Sequence, residues 1–176
     1  MSGLSGASWL SSAWKNGWFV HSIRTAIGVT SSLALARVLG MQEAYWAPIT
    51  TFIVLQSTLG AAWEASKTRF IGTALGALLA GLLATCVEPG MIAFGTATFA
   101  LGLICAVLHL DQSAYRLAGI TLAIVMLVPR GTAPWLEAVH RFVEVSLGIA
   151  VALAFTSLWP GQELASGEKP DESPRR

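Results

Sequence analysis

Charge is what this chain has little of. Charged residues make up 12% of its 176 positions, where soluble domains carry about 25%, so an ordinary solvated surface cannot be built. The formal net charge is +1, and without a basic patch nucleic acid is not an expected partner. The two cysteines, Cys86 and Cys105, lie in apolar runs without metal-ligand spacing and read as small buried hydrophobes. No metal and no cofactor is expected. No Gly-x-x-x-x-Gly-Lys-Ser/Thr loop is present, so ATP is not the energy source within this chain. The lack of a Gly-x-Ser-x-Gly elbow or a His/Cys/Asp cluster argues against an enzyme. The first twenty residues also lack the basic start, unbroken apolar run and small-residue cleavage site of a secretory signal.

What fills the chain is apolar length. Hydrophobic residues are 54% of it and the mean hydropathy is +0.62. A bilayer core takes about 20 apolar residues of helix. Six runs approach that length, at 20–39, 44–61, 70–88, 91–110, 114–129 and 138–159. The breaks between them are Gly40 to Glu43, the polar stretch Trp63 to Arg69, Glu88-Pro89-Gly90, Asp111-Gln112-Ser113 and Pro129-Arg130-Gly131-Thr132. The expected fold is an all-α integral membrane protein with six transmembrane helices in one domain, 20–160. Residues 1–19, with Trp9, Trp14 and Trp18 among Ser, Lys15 and Asn16, read as a segment lying at the membrane interface or as a disordered tail. Residues 161–176 read as a disordered polar tail. With both termini in the cytoplasm, Lys15, Arg24, Lys67, Arg69, Arg116, Lys169, Arg175 and Arg176 fall inside. Arg37, Arg130 and Arg141 fall outside, the bias that positive charge imposes.

The chain also resembles itself. Gln42, Ala44 and Tyr45 recur as Gln112, Ala114 and Tyr115. Ala47-Pro48-Ile49-Thr50 recurs as Ala118-Gly119-Ile120-Thr121. Trp63, Arg69, Phe70, Leu75, Gly76 and Ala80 recur as Trp135, Arg141, Phe142, Leu147, Gly148 and Ala152. The repeats run 20–88 and 91–159, three spans each. An odd number of spans sends the second repeat into the membrane from the opposite side, the inverted-topology design of secondary transporters. Arg69 is then expected at the start of the third span, at the inner mouth, and Arg141 at the start of the sixth, at the outer mouth. Pro48 and Gly119 mark matched places where transport helices are interrupted, although a first-turn proline is also ordinary.

Polar groups inside apolar spans are the candidates for function, because intramembrane charge costs about 2.5–3.5 kcal/mol on insertion scales. Arg24 lies one turn inside the first span, and Arg37 near its far end suits snorkelling to headgroups. Arg69 and Arg141, with the free amides of their helix starts, form anion-binding points, or else touch lipid headgroups or structural acids. Glu137, Arg141 and Glu144 share one helix face. Glu144 pairs with Arg141, or it titrates and couples transport to protons, a role that His140, one turn away, can share. Gly72, Gly76 and Gly81 form a small-residue face for close helix packing. His21 and His109 sit near span ends, at the interface.

The stretches Tyr45-Trp46-Ala47-Pro48-Ile49-Thr50, Ile53-Val54-Leu55-Gln56-Ser57 and Arg69-x-x-Gly72-Thr73-x-x-Gly76 resemble the membrane half of the fusaric acid resistance (FUSC-like) and aromatic acid exporter family. So do Tyr115-Arg116 through Ile124-Val125-Met126-Leu127, Arg141-x-x-Glu144-x-x-x-Gly148 and Leu158-Trp159-Pro160. The resemblance covers most of residues 20–160. It implies a bacterial inner-membrane protein that exports aromatic or other organic carboxylates as a secondary carrier or channel. Plant aluminium-activated malate channels, dimers with six spans per subunit, are similar at a greater distance. Carried over, Arg69 and Arg141 are the anion-facing cations. Arg24, Pro48, Gly119 and Gln56 are the further candidates for substrate binding. The larger exporters often carry two membrane halves and a long cytoplasmic domain. A homodimer in the lipid bilayer supplies the second half. The alternative is a non-transporting scaffold or subunit for a separately encoded soluble partner.

Overall fold

The computed structural model describes residues 18–55, 58–88, 90–128 and 133–159. Residues 1–17 of the expected interfacial segment, the polar tail, Gln56 and residues 129–132 lie outside these residues, while Trp18 and Phe19 open the first helix. The described residues form six helices and no strand: α1 (Trp18–Val38), α2 (Trp46–Val54), α3 (Leu59–Cys86), α4 (Met91–Val107), α5 (Gln112–Leu127) and α6 (Pro134–Leu158).

Helix ends follow local chemistry. α1 stops where Gly40 takes φ +70°. There the Met41 N–H reaches the Ala36 carbonyl at 3.1 Å and the Gly40 N–H reaches Arg37 at 3.0 Å, a closing turn that suits glycine. α4 ends in the same way. His109 holds φ 54°, with Leu110 N–H on Cys105 at 2.9 Å and His109 N–H on Ala106 at 3.1 Å. His109 is therefore a helix-capping residue. α3 starts at the Thr58 hydroxyl, which accepts the Ala61 N–H at 3.2 Å. α6 starts on Pro134, which lacks only a donor that would be unused there.

Two expectations about the spans need correction. The run 44–61 is not one span, because α2 is nine residues long, about 13 Å, and the chain turns extended at Leu55. The stretch Trp63–Arg69 is not a connection either; it lies within α3. Its charges divide by helix face. Glu64 and Lys67 pair at 2.7 Å on the exposed side, while Ser66 and Arg69 point inward. Among the described residues, α3 and α6 are long and apolar enough to cross a bilayer, and α4 and α5 are shorter apolar helices. α1 has 21 residues, but it carries Arg24, Arg37 and several hydroxyls.

α3 and α6 form the centre and run antiparallel. Phe70 meets Phe142 with ring centroids 5.0 Å apart and the rings tilted by 59°, and Gly81, further along α3, faces Trp135 and Ala138 near the start of α6. α5 lies against α3, and α2 lies against α6. Glycine sets both approaches. A Cβ on Gly76 would stand 2.3 Å from the Ala118 carbonyl oxygen and 2.9 Å from Thr121 Cβ, and one on Gly148 would stand 2.4 Å from the Ala47 carbonyl oxygen and 2.7 Å from Thr50 Cβ. No side chain fits at either place. α4 packs outside α5, and α1 packs outside α2 and α6. The apolar core divides the same way. One cluster includes Leu101, Leu122 and Met126, and the other joins Val54, Val145 and Ile149.

Candidate functional site

The buried charges gather where α2 meets α3 and α6. Arg141, with 3% of its side chain exposed, lies 3.5 Å from Glu43 Oε2. Its guanidinium sits 3.6 Å from the centroid of the Trp46 ring, a cation–π contact. Trp46 Nε1 donates to Glu43 Oε2 at 2.9 Å. Glu144 Oε1 accepts the backbone N–H of Glu43 at 3.1 Å, and Glu137 is buried one turn before Arg141. The turn before α2 is thus held to α6 by an arginine, an indole and acids that neutralise charge locally.

Arg69 differs. It is 5% exposed, and its polar partner among the described residues is Thr50, whose Oγ1 accepts from Nη2 at 3.4 Å. Its Nε is buried with no hydrogen-bond partner among those residues, and so is Thr73 Oγ1 one turn on. A buried guanidinium with one long, neutral hydrogen bond is under-compensated.

The expected placement of both arginines at helix starts is corrected here. α3 begins at Leu59 and α6 at Pro134, so Arg69 and Arg141 lie about three and about two turns inside their helices. Each adjoins one of the paired rings, Phe70 and Phe142, that mark the helix crossing. Their partners on α2, Thr50 and Trp46, are one turn apart on one face. Helix-start amides are not within their reach as anion donors, since interior amides are already spent on the helix.

The other sequence candidates scatter. Arg24 Nη1 donates to the Trp159 carbonyl at 3.0 Å, so it caps the end of α6. Pro48 is buried in the first turn of α2, and α5 runs unbroken through Gly119, where an added Cβ would meet nothing. Neither residue interrupts a helix; the break in the first half is at Leu55. His140 is half-buried and makes no polar contact with described residues, whereas Glu144 reaches Glu43. Sequence reading missed Glu43, because it sits in a turn, and Thr50, because a threonine in an apolar run carries no signal. Thr51 behaves likewise. Its hydroxyl lies 2.9 Å from Ser32 Oγ and donates to the Ala47 and Gly148 carbonyls at 3.0 Å, stitching α1, α2 and α6. No group of His, Cys, Asp and Glu among the described residues is arranged to hold a metal.

Residues 30–155 match the family model described as fusaric acid resistance protein-like. The chain is 33% identical over 153 residues to the inner membrane protein YeeA of Escherichia coli K12, a match covering 80% of this chain and 41% of that protein. It is 29% identical over 143 residues to the uncharacterized transporter YdhK of Salmonella typhimurium, covering 76% of this chain and 21% of YdhK. Against the inner membrane protein YccS of Escherichia coli K12 the identity is 24% over 143 residues, 81% of this chain and 20% of that protein. The chain thus spans well under half the length of these relatives. No solved structure matches it.

Proposed function

The chain belongs to the fusaric acid resistance protein-like family, and from that premise we propose that it is a membrane domain of the bacterial inner membrane that passes organic anions, with Arg69 as the cation they meet. The names of YeeA and YdhK as an inner membrane protein and a transporter support the setting. The observation that carries the reading is the contrast between the two buried arginines. Arg141 is balanced by Glu43 and Trp46, while among the described residues Arg69 has only a threonine hydroxyl. A transport site needs a charge that the resting protein leaves open, and Arg69 is that charge.

In this reading the two halves, 20–88 and 91–159, are inverted repeats. The equivalent contacts of Gly76 and Gly148, the antiparallel α3 and α6, and the meeting of Phe70 with its counterpart Phe142 support it, as a two-fold axis in the membrane plane requires. The short α2 is the discontinuous element that such carriers place at a site. Two copies assemble to give the paired membrane halves, both termini face the cytoplasm, and Glu144, beside Glu43, remains the candidate for proton coupling.

Reconstitution into liposomes loaded with labelled benzoate tests the proposal. Flux above protein-free liposomes is expected, with Arg69→Gln lowering it about 10–100-fold, the loss of one charge-assisted contact or more. Unchanged flux in Arg69→Gln, or no flux in the native protein, overturns it. A native protein without flux would leave the scaffold role in its place.

A further inference from the structure

The Arg69 site has a charge count that selects among anions. Three of the buried polar residues of α2 and α3 are Thr50, Arg69 and Thr73. Arg69 Nη2 reaches Thr50 Oγ1 at 3.4 Å. Arg69 Nε and Thr73 Oγ1 are buried with no hydrogen-bond partner among the described residues, and Arg69 and Thr73, four residues apart, share one face of α3. Thr73 is 1% exposed and Thr50 fully buried. Gly72 and Gly76 flank Thr73 and bring α5 against α3 so closely that no side chain fits there. The Arg69 Nε–H and the Thr73 hydroxyl, both without a partner among the described residues, are the complement of an oxyanion, whose two oxygens accept from both.

Among the described residues the site holds one cation with no acid paired to it. The other arginine nearby, Arg141, is already set against Glu43 at 3.5 Å and the Trp46 ring. Arg69 lies about 15 Å along α3 from its start and is 5% exposed, and a second anionic charge buried there with no cation to meet it is costly. We propose that Arg69, Thr73 and Thr50 form a single-cation oxyanion site, with Thr73 its specificity-determining hydroxyl, that takes singly charged oxyanions and rejects doubly charged ones of similar width. The inference rests on the reading of Arg69 as the anion contact and adds the charge class and the second binding residue.

The test is calorimetric binding to the full chain in detergent at pH 7, with benzoate as the monoanion and terephthalate as the dianion. Benzoate is expected to bind at least about tenfold more tightly than terephthalate, and Thr73→Val to weaken benzoate about five- to tenfold, the effect of one hydrogen bond to a charged group. Thr73→Ser, which keeps the hydroxyl, restores binding. A packing role would instead be rescued by valine and not by serine. Equal or tighter binding of terephthalate, benzoate affinity unmoved by Thr73→Val, or no benzoate binding at all overturns the site. Flux is read separately in liposomes. Selective binding without flux removes the transport proposal and leaves the site standing, whereas flux without selectivity removes the site and leaves transport.

Discussion

Glycine stands at position 72 and glutamate at its counterpart, 144. Gly72 lets α5 settle on α3. An added Cβ would lie 2.7 Å from the Ala114 carbonyl oxygen and 3.0 Å from Leu117 Cβ, and α5 is helical from Gln112 onward. At 144 a carboxylate occupies that space. It takes the Glu43 N–H at 3.1 Å, the chain before α2 stays a turn, and the helix begins only at Trp46. Otherwise the two halves pack alike, Gly76 on Ala118 and Thr121, Gly148 on Ala47 and Thr50. One side chain thus exchanges a close helix contact for a polar cluster. The two arginines differ accordingly: Arg141 fastens a turn, and Arg69 has no acid paired to it among the described residues.

Removing Arg141 should break this comparison most severely. Glu43, Glu137 and Glu144 would remain around a vacated centre, and breaking a buried pair from one side costs about 3–5 kcal/mol. Arg141→Ala is expected to lose most of its folded protein on heating in detergent, while Arg69→Gln keeps a native melting curve and loses anion flux. If Arg69→Gln unfolds and Arg141→Ala does not, the roles are reversed. Next come the glycines. Gly76→Ala and Gly148→Ala each force a helix pair apart, and overpacking of this kind costs about 1–3 kcal/mol. Equal losses in melting temperature are expected, since the clashes are 2.3 and 2.4 Å. A large loss at one glycine and none at the other would mean that the halves bear load unequally. Thr51→Val is smaller, about 1–2 kcal/mol, because it strips hydrogen bonds from buried groups but keeps shape. Thr121→Val is the matched control, losing a bond within its own helix to Leu117 at 3.1 Å. It should cost less, and a cost equal to that of Thr51→Val would deny Thr51 its role between helices.

Much of this difference could not be read in the sequence. Hydropathy located α1, α4 and α5 to within a few residues and the turn at Glu88, because glycine, proline and acids there interrupt apolar runs. It misread α2 and α3, because a hydropathy average does not see the Thr58 cap that restarts the chain. Nor does it see that Glu64 and Lys67 can face outward while Arg69 faces in. Arg69 and Arg141 stood out as charges in apolar runs. What separates them did not, since Glu43 and Trp46 belong to a turn about a hundred residues before Arg141, and only the packing of α2 on α6 brings them together.

The smallest contrast lies at the outer helices, and it isolates conformation from contact. α1 and α4 close with the same pair of hydrogen bonds, but the left-handed position is Gly40 in one and His109 in the other. An added Cβ at Gly40 meets nothing within 4 Å, so Gly40→Ala changes backbone preference alone. A left-handed residue with a Cβ costs about 1–2 kcal/mol, offset in part by the greater freedom that glycine loses on folding. Gly40→Ala should therefore lower stability by about 0.5–1 kcal/mol, and His109→Gly should raise it by a similar amount. Each moves the melting temperature by a degree or a few, in opposite directions. Because His109 is exposed and no hydrogen bond ties its ring to described residues, the gain at 109 has no lost contact to set against it. A fall in stability in His109→Gly would show that the imidazole itself holds the end of α4, and the two ends would then share a shape without sharing its cause.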